Sequence, residues 1–335
     1  MDHLVTNNVY ELLKKYSSVS EETDVAIGVR PSGTVHLGNM VTLGLAAIIS
    51  RDIGPHISQV NLTICDLDLP DIKDWPVKER GYLKYFKDLP DLSGRHPNLL
   101  SRSLNGIEEL CRGLESQLGI KFDIRLLSQV QREKGFREGL KRVLDYPGIM
   151  RFLDPSPDKS LGDRVLVYPL CKVCGTSNPV PSEYSNGRLI TSCSNPECDI
   201  ENYEVEVDDL GRDIAVHYFI DPLRDTIEPN SKIHVFGGDY RVNSGRGVTK
   251  LEKILEVMKI ANEAGIPDIF VGPLFYARDG SKMSKSKDNG LTLERLKGHF
   301  GSQRYAERLV KFAEYLVTEG YNHVDYPLVE KQLLT

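Results

Sequence analysis

Residues 24–50 set the kind of molecule this chain can become. Asp24-Val25-Ala26-Ile27-Gly28-Val29 is a short apolar run ending in the turn Arg30-Pro31-Ser32-Gly33. Such a run, bounded by turn residues, reads as a buried strand. From Leu37 to Ser50 the pattern changes. Met40, Leu43 and Ala47 fall at helical spacing, and Val41, Leu45, Ile48 and Ile49 fill most remaining positions. This predicts a helix buried on nearly every side. Strand 57–65, helix 105–118, strand 121–127 and helix 130–144 continue the alternation. Strands 214–220 and 233–236, helix 249–264 and strand 268–274 complete it. Alternation of this kind predicts an α/β fold, a parallel sheet wrapped on both faces. Residues 72–103, with several prolines and the only tryptophan, Trp75, read as irregular with short helices.

Four of the six cysteines crowd into one stretch, Cys171-x2-Cys174-x18-Cys193-x4-Cys198. Two paired cysteine knuckles at this spacing suit a tetrahedral zinc whose positions are all filled by protein, hence a structural site. A ribbon this small buries too little core to fold alone, so the metal is expected to supply its folding energy. Cys65 and Cys111 sit in apolar contexts and read as core. The expected organisation is a first part of the α/β domain at 1–163, a zinc-binding insertion at 164–207 and a second part at 208–300. A helical tail at 301–335 carries one amphipathic helix near 303–318.

Composition narrows the function classes. No run of about 18 apolar residues occurs, which argues against a membrane-spanning helix. Met1-Asp2-His3-Leu4-Val5-Thr6 lacks the basic and apolar regions of a secretion signal. A reducing, cytoplasmic setting is therefore expected, where cysteines bind metal more often than they pair. With 48 acidic against 42 basic residues and a net charge of -6, bulk charge gives no support to a nucleic-acid partner and leaves only a local patch.

Two segments carry chemistry. Pro31 to Asn39 joins a buried strand to a buried helix, at the sheet edge where ligands bind and helix N-termini favour anions. Gly38 leaves room for a flat base against the backbone, and His36 is a donor for a phosphate oxygen. The second segment, Arg278 to Lys287, follows a strand and is rich in lysine. Its ammonium groups suit the charge that builds on a departing pyrophosphate.

His36-Leu37-Gly38-Asn39 together with Lys282-Met283-Ser284-Lys285-Ser286 resembles the paired signatures of the class I aminoacyl-tRNA synthetases. The resemblance covers roughly residues 24–300. It implies a Rossmann-type (HUP-like), doubly wound catalytic domain that joins an amino acid to ATP and passes the acyl group to tRNA. By the same resemblance His36, Asn39, Lys282 and Lys285 are the catalytic residues. Gly33, Gly38, Met283 and Ser284 complete the two ATP signatures. Gly237-Gly238-Asp239 resembles the segment that approaches adenine, with Asp239 accepting from the ribose hydroxyls. ATP, Mg2+ on its phosphates and structural Zn2+ are the implied cofactors.

Within the class, the wording of the first signature, the cysteine-rich insertion and the order Val216-His217-Tyr218-Phe219-Ile220-Asp221-Pro222, then Phe236 to Tyr240, are most similar to the archaeal-type lysyl enzymes. Two departures stand out. The second signature is intact, as in tryptophanyl-type enzymes, and only 49 residues follow Ser286, too few for a long helical anticodon-binding region. The expectation is that a tRNA is held by its acceptor arm alone, near the zinc insertion, Lys287, Arg295 and Lys297, or that another acceptor is used. Amino-acid contacts are expected from Arg30, Asp66, Asp68, Tyr218 and Asp221, with Tyr240 beside them. Arg30 favours a carboxylate, whereas the aspartates favour an ammonium group. The alternative is a catalytically silent paralogue acting as a regulatory or binding protein; two intact signatures argue against it. A nucleotidyltransferase with a similar turn leaves the cysteines unexplained. Oligomeric state is not legible.

Overall fold

The computed structural model describes residues 3–335 except 18, 20–22, 32–33, 54–56, 68–85, 90, 92–93, 155–160, 162, 179, 228–230, 245–246, 263–264, 284–289 and 303. Gly33, Asp68, Trp75, Ser284, Lys285 and Lys287 therefore lie outside the described residues.

The first half runs β1 (Val5–Thr6), α1 (Val9–Tyr16), β2 (Thr23–Val29), α2 (Leu37–Ile53), β3 (Ile57–Ile64), α3 (Leu99–Leu118), β4 (Phe122–Leu126), α4 (Leu127–Val130), α5 (Lys134–Asp145) and α6 (Ile149–Leu153). The insertion and its exit hold β5 (Arg164–Val165), β6 (Val167–Pro169), β7 (Ser182–Ser185), β8 (Arg188–Ser192), β9 (Asn202–Glu206) and β10 (Ile214–Val216). Then come α7 (Arg224–Ile227), β11 (Ser231–Phe236), α8 (Lys250–Ala261), β12 (Asp268–Val271), β13 (Leu274–Phe275), α9 (Leu293–Phe300), α10 (Tyr305–Glu319), β14 (His323–Val324) and α11 (Tyr326–Val329).

Six strands form one parallel sheet in the order β1-β12-β11-β2-β3-β4. β2 lies inside it, between β11 and β3, and six of its seven residues are buried. A parallel strand covered on both faces needs apolar side chains on both, which is why its sequence does not alternate. From β2 the chain builds outward to β3 and β4, then returns to build β11 and β12 on the other side. The crevice between the carboxyl ends of β2 and β11 is thus a topological switch point, where open α/β sheets bind ligands.

Each face has its own core. α2, α3 and α10 cover one, with Leu43, Leu45, Leu110, Leu114, Leu309 and Phe312 buried together. α5, α8 and the insertion cover the other, through Phe136, Leu140, Ile254, Val257, Leu189 and Val205. The tail helix α10 is thus part of the main packing. Cys111 lies in the first core and Cys65 in the second, both buried.

Local signals explain where the element bounds depart from expectation. The third helix starts at Leu99 because Asn98 caps it, its Oδ1 accepting the Ser101 N–H at 2.8 Å. The stretch 214–220 stops being a strand at Val216. The N–H groups of Ile220 and Asp221 turn back to the His217 carbonyl, at 2.7 and 3.3 Å. β10 also pairs antiparallel with β6 and stands apart from the main sheet. β5, β7, β8 and β9 form a separate four-stranded antiparallel sheet. Among the described residues, no helix is long and apolar enough to cross a membrane.

Candidate active site

Backbone hydrogen bonds bring the two signature segments together. The Leu37 N–H donates to the Leu291 carbonyl at 2.7 Å and the Leu293 N–H to Val35 at 2.9 Å, with His36 facing Thr292 between them. The exit of the lysine-rich segment is thus stitched to the turn that opens α2. Its entrance is held as firmly. The Met283 N–H reaches the Phe275 carbonyl at 2.9 Å, and the Tyr276 N–H reaches Val324 of the tail at 2.9 Å. Arg278 is tied to Glu330 at 2.5 Å and stacks over the Tyr326 ring. Met283 is buried in the first core, so it anchors the segment whose lysines flank it.

At the α2 end, His36 Nδ1 accepts the Gly38 N–H at 3.0 Å. An imidazole that accepts at Nδ1 carries its proton on Nε2, leaving that N–H as a donor beside a helix N-terminus. A Cβ on Gly38 would stand 2.8 Å from His36 Cε1. The glycine therefore makes room for the histidine ring itself.

Gly237-Gly238-Asp239 follows β11 across the crevice. A Cβ on Gly238 would lie 2.4 Å from backbone atoms of Pro273 and Leu274, so no other residue fits without moving the chain. Gly237 faces the second turn of α2, where its missing Cβ would be 3.7 Å from Thr42 Oγ1. Asp239 Oδ2 lies 3.7 Å from Lys282 Nζ and 3.4 Å from Lys250 Nζ. Two segments far apart in sequence thus meet on one carboxylate.

Beyond Asp239 comes an aromatic wall. The rings of His217, Tyr218 and Phe219 pack within 4.2–4.7 Å of one another. The Lys250 ammonium lies 5.4 Å from the Tyr218 ring centre. Burial pushes His217 down to about 3, helped by the charges of Lys253, Arg30 and Lys250. Its Nδ1 accepts the Phe219 N–H at 3.4 Å, so the remaining ring N–H is again a donor. Burial also raises the Tyr218 phenol, with Asp239 adding to it, so it stays protonated. Arg30, exposed at the end of β2, acts on both rings.

His217 makes stability depend on pH. From its ordinary value of 6.5 down to about 3, the unfolded chain binds a proton that the folded chain refuses. Its contribution is complete above pH 6.5 and is lost as the pH falls through that window. The ring is partly exposed, so the expected loss between pH 7 and 5 is about 1–2 kcal/mol. Denaturant unfolding should show that His217→Gln flattens this slope; an unchanged slope would contradict it.

The remaining expected residues divide. Asp221 is buried in the turn Asp221–Leu223 and acts on the charge of Arg224. Asp66 is fully buried and caps α4, its Oδ1 accepting the Ser128 N–H at 2.9 Å. Lys297 is bound to Glu109 at 2.6 Å, which ties it to α3. Tyr240 is protonated, its phenol raised by burial, and its ring packs 4.6 Å from Phe236. Sequence reasoning missed His217 and Lys250 as site residues. The available signal was a lysine in the first turn of α8, just after the Thr249 cap, where the helix dipole disfavours a cation.

A second candidate centre lies in the insertion. The sulfurs of Cys171, Cys174, Cys193 and Cys198 all fall within 4.8 Å of one another, and all four are free thiols. Cys171 and Cys198 are 3.7 Å apart, Cys174 and Cys193 3.5 Å. A Zn–S bond of about 2.3 Å gives a tetrahedral edge of about 3.8 Å, whereas a disulfide needs about 2.05 Å. The thiols fit a tetrahedral metal ion. Gly175, at φ +67°, turns the first knuckle so that its N–H reaches the Cys171 carbonyl at 2.8 Å.

The family model described as tRNA synthetases class I (K) matches residues 3–303. Similar solved structures include a tyrosyl-tRNA synthetase complexed with L-tyrosine from Archaeoglobus fulgidus. It is 14% identical over 88% of this chain and 70% of that one, with a TM-score of 0.46. The Thermus thermophilus arginyl-tRNA synthetase is 11% identical over 95% of this chain and 63% of that one, with a TM-score of 0.40. Likenesses this distant bear on neither substrate nor residue roles. No curated protein matches the sequence.

Proposed function

Since this chain belongs to the class I aminoacyl-tRNA synthetases, we propose that it activates an amino acid with ATP in the β2–β11 crevice and passes the acyl group to tRNA or another acceptor. The observation that carries this reading is the convergence of Lys282 and Asp239, with the His36 turn stitched to the same lysine-rich segment. The amino acid carboxylate attacks the α-phosphorus. The bond to the bridging oxygen breaks, and pyrophosphate leaves with the electron pair. Positioning and charge stabilisation suffice, because no covalent enzyme intermediate is required.

His36, through its Nε2–H, and Asn39 hold the triphosphate at the start of α2, with Gly33 and Gly38 in the same turn. Asp239 accepts from the ribose hydroxyls beside Gly237 and Gly238. Lys282 and Lys285, around Met283 and Ser284, take the charge of the departing pyrophosphate. Mg2+ on the phosphates would add Lewis-acid neutralisation of the same charge. Zinc on Cys171, Cys174, Cys193 and Cys198 is structural, since four protein ligands leave no open position. A reducing cytoplasm suits both the reaction and the unpaired cysteines of the insertion.

The order of segments resembles that of the archaeal-type lysyl enzymes, which supports an amine side chain, while Arg30 argues for a different one. Activation itself is tested by hydroxylamine trapping. An amino-acid hydroxamate that forms only with ATP present supports it, and ATP consumption without hydroxamate contradicts it. Gly38→Ala should slow trapping about 10–100-fold, because the new methyl displaces the His36 ring. A near-normal rate would show that this ring does not touch the triphosphate.

A further inference from the structure

The tail meets both halves of the crevice at one residue. Asp239, in the ribose half, lies in the single turn Gly238–Arg241. Lys282, in the pyrophosphate half, lies opposite Tyr276 in the hairpin that leaves β13. Asn322, just before β14, reaches toward each. Its Oδ1 accepts from the Arg241 guanidinium, and its carbonyl accepts the Leu274 N–H at 2.9 Å. Two residues on, the Val324 carbonyl takes the Tyr276 N–H at 2.9 Å. A second Arg241 nitrogen donates to the Val271 carbonyl at 3.2 Å, at the end of β12. The circuit closes where Lys282 Nζ comes back to Asp239 at 3.7 Å.

The chemistry of Asn322 suits a junction. An amide oxygen carries two lone pairs. One faces Arg241, and the other takes the Asn7 amide at 3.0 Å. Asn7 directly follows β1, the strand beside β12, so both halves are referred to the same edge of the main sheet. The tail is anchored without Asn322, because Val324, Val329 and Leu333 are fully buried in the first core. Asn322 itself is exposed, so its hydrogen bonds add little to stability. Their consequence is placement. Adenylyl transfer needs the ribose and the departing pyrophosphate held together, and a misplacement of about 1 Å can cost on the order of 100-fold in rate.

We propose that Asn322 is a positioning residue for adenylyl transfer, acting through Arg241 on Asp239 and through β13 on Lys282. The tail thereby sets the separation between the ribose half and the pyrophosphate half. This inference rests on the activation reading.

The test measures single-turnover adenylation in Asn322→Ala, Asn322→Asp and Arg241→Met, with Asn322→Ala repeated in the Lys282→Ala background. Methyl NMR of Met283, one of five methionines and buried beside Lys282, reads placement without turnover. Asn322→Ala and Arg241→Met should each slow adenylation about tenfold, and the double variant should lose no more than the worse of the two. Asn322→Asp keeps the acceptor and should restore most of the rate. In Lys282→Ala the further loss from Asn322→Ala should shrink to about twofold or less, which a merely structural role would not produce. The Met283 signal should shift in Asn322→Ala while those of Met40 and Met258, in the two cores, stay in place. A near-normal rate in Asn322→Ala, an undiminished loss in the Lys282→Ala background or an unmoved Met283 signal would overturn the proposal. If the wild-type chain forms no adenylate with any amino acid, a shifted Met283 signal still supports placement by Asn322 while sinking the activation reading.

Discussion

Stripping zinc from the purified protein, or replacing Cys174 with serine, is expected to unfold the insertion and lower the stability of the whole chain. The binding free energy of a four-thiolate zinc site is on the order of 10 kcal/mol and becomes folding energy when the ligands are far apart in the unfolded chain. Apart from the metal, the knuckles are held by their own backbone turns and by Asn178, whose amide donates to Ser192. The antiparallel sheet of the insertion is short, and its buried Leu189, Tyr203 and Val205 join a core shared with α5 and α8. The effect should also reach the crevice. The His217 N–H donates to the Leu166 carbonyl at 3.0 Å, and β10 pairs with β6, so the aromatic wall hangs from the base of the insertion. Metal analysis should find one zinc per chain. Hydrogen exchange over 165–207 should rise sharply on chelation, and activity should follow through displacement of Tyr218. A metal-free preparation with the insertion still protected would remove zinc from this picture.

The second large effect is expected at Lys282. Lys282→Ala should raise the barrier to adenylate formation by about 2–4 kcal/mol, the usual consequence of losing a preorganised charge from a transition state. The contact with Asp239 refines that expectation. At 3.7 Å and partly exposed, it is a weak pair that a ribose would replace, so its loss costs little ground-state binding. The rate constant for activation should therefore fall while the KM for ATP changes far less, the pattern of an interaction made in the transition state. Single-turnover adenylation at saturating ATP reads this directly. A large rise in KM at constant rate would assign Lys282 to substrate binding alone.

How much of this was legible depended on the range of the interaction. β2 and α2 were readable because their burial is continuous along the chain, and the cysteines because metal ligands come in spaced pairs. The meeting of Lys282 with Asp239 was readable only through resemblance, since no local pattern joins residues on opposite sides of a switch point. Lys250 was overlooked because a lysine at a helix start usually faces solvent; its place beside Asp239 and Tyr218 follows from how α8 packs. Asp66 is the converse case. An aspartate after a strand is as well suited to capping a helix as to binding a ligand, and Ser128, distant in sequence, engages one of its oxygens as a cap. The third helix began six residues early because the Asn98 cap is a side-chain signal that apolar periodicity does not register.

Amino-acid-dependent exchange of pyrophosphate into ATP, screened over the full set of amino acids with the zinc-loaded chain, tests activation most directly. Exchange that requires one amino acid, and that falls about 30-fold or more in Lys282→Ala, is the expected result. Exchange supported by no amino acid, with zinc bound and the fold intact, would contradict it and leave a synthetase scaffold that binds without catalysing.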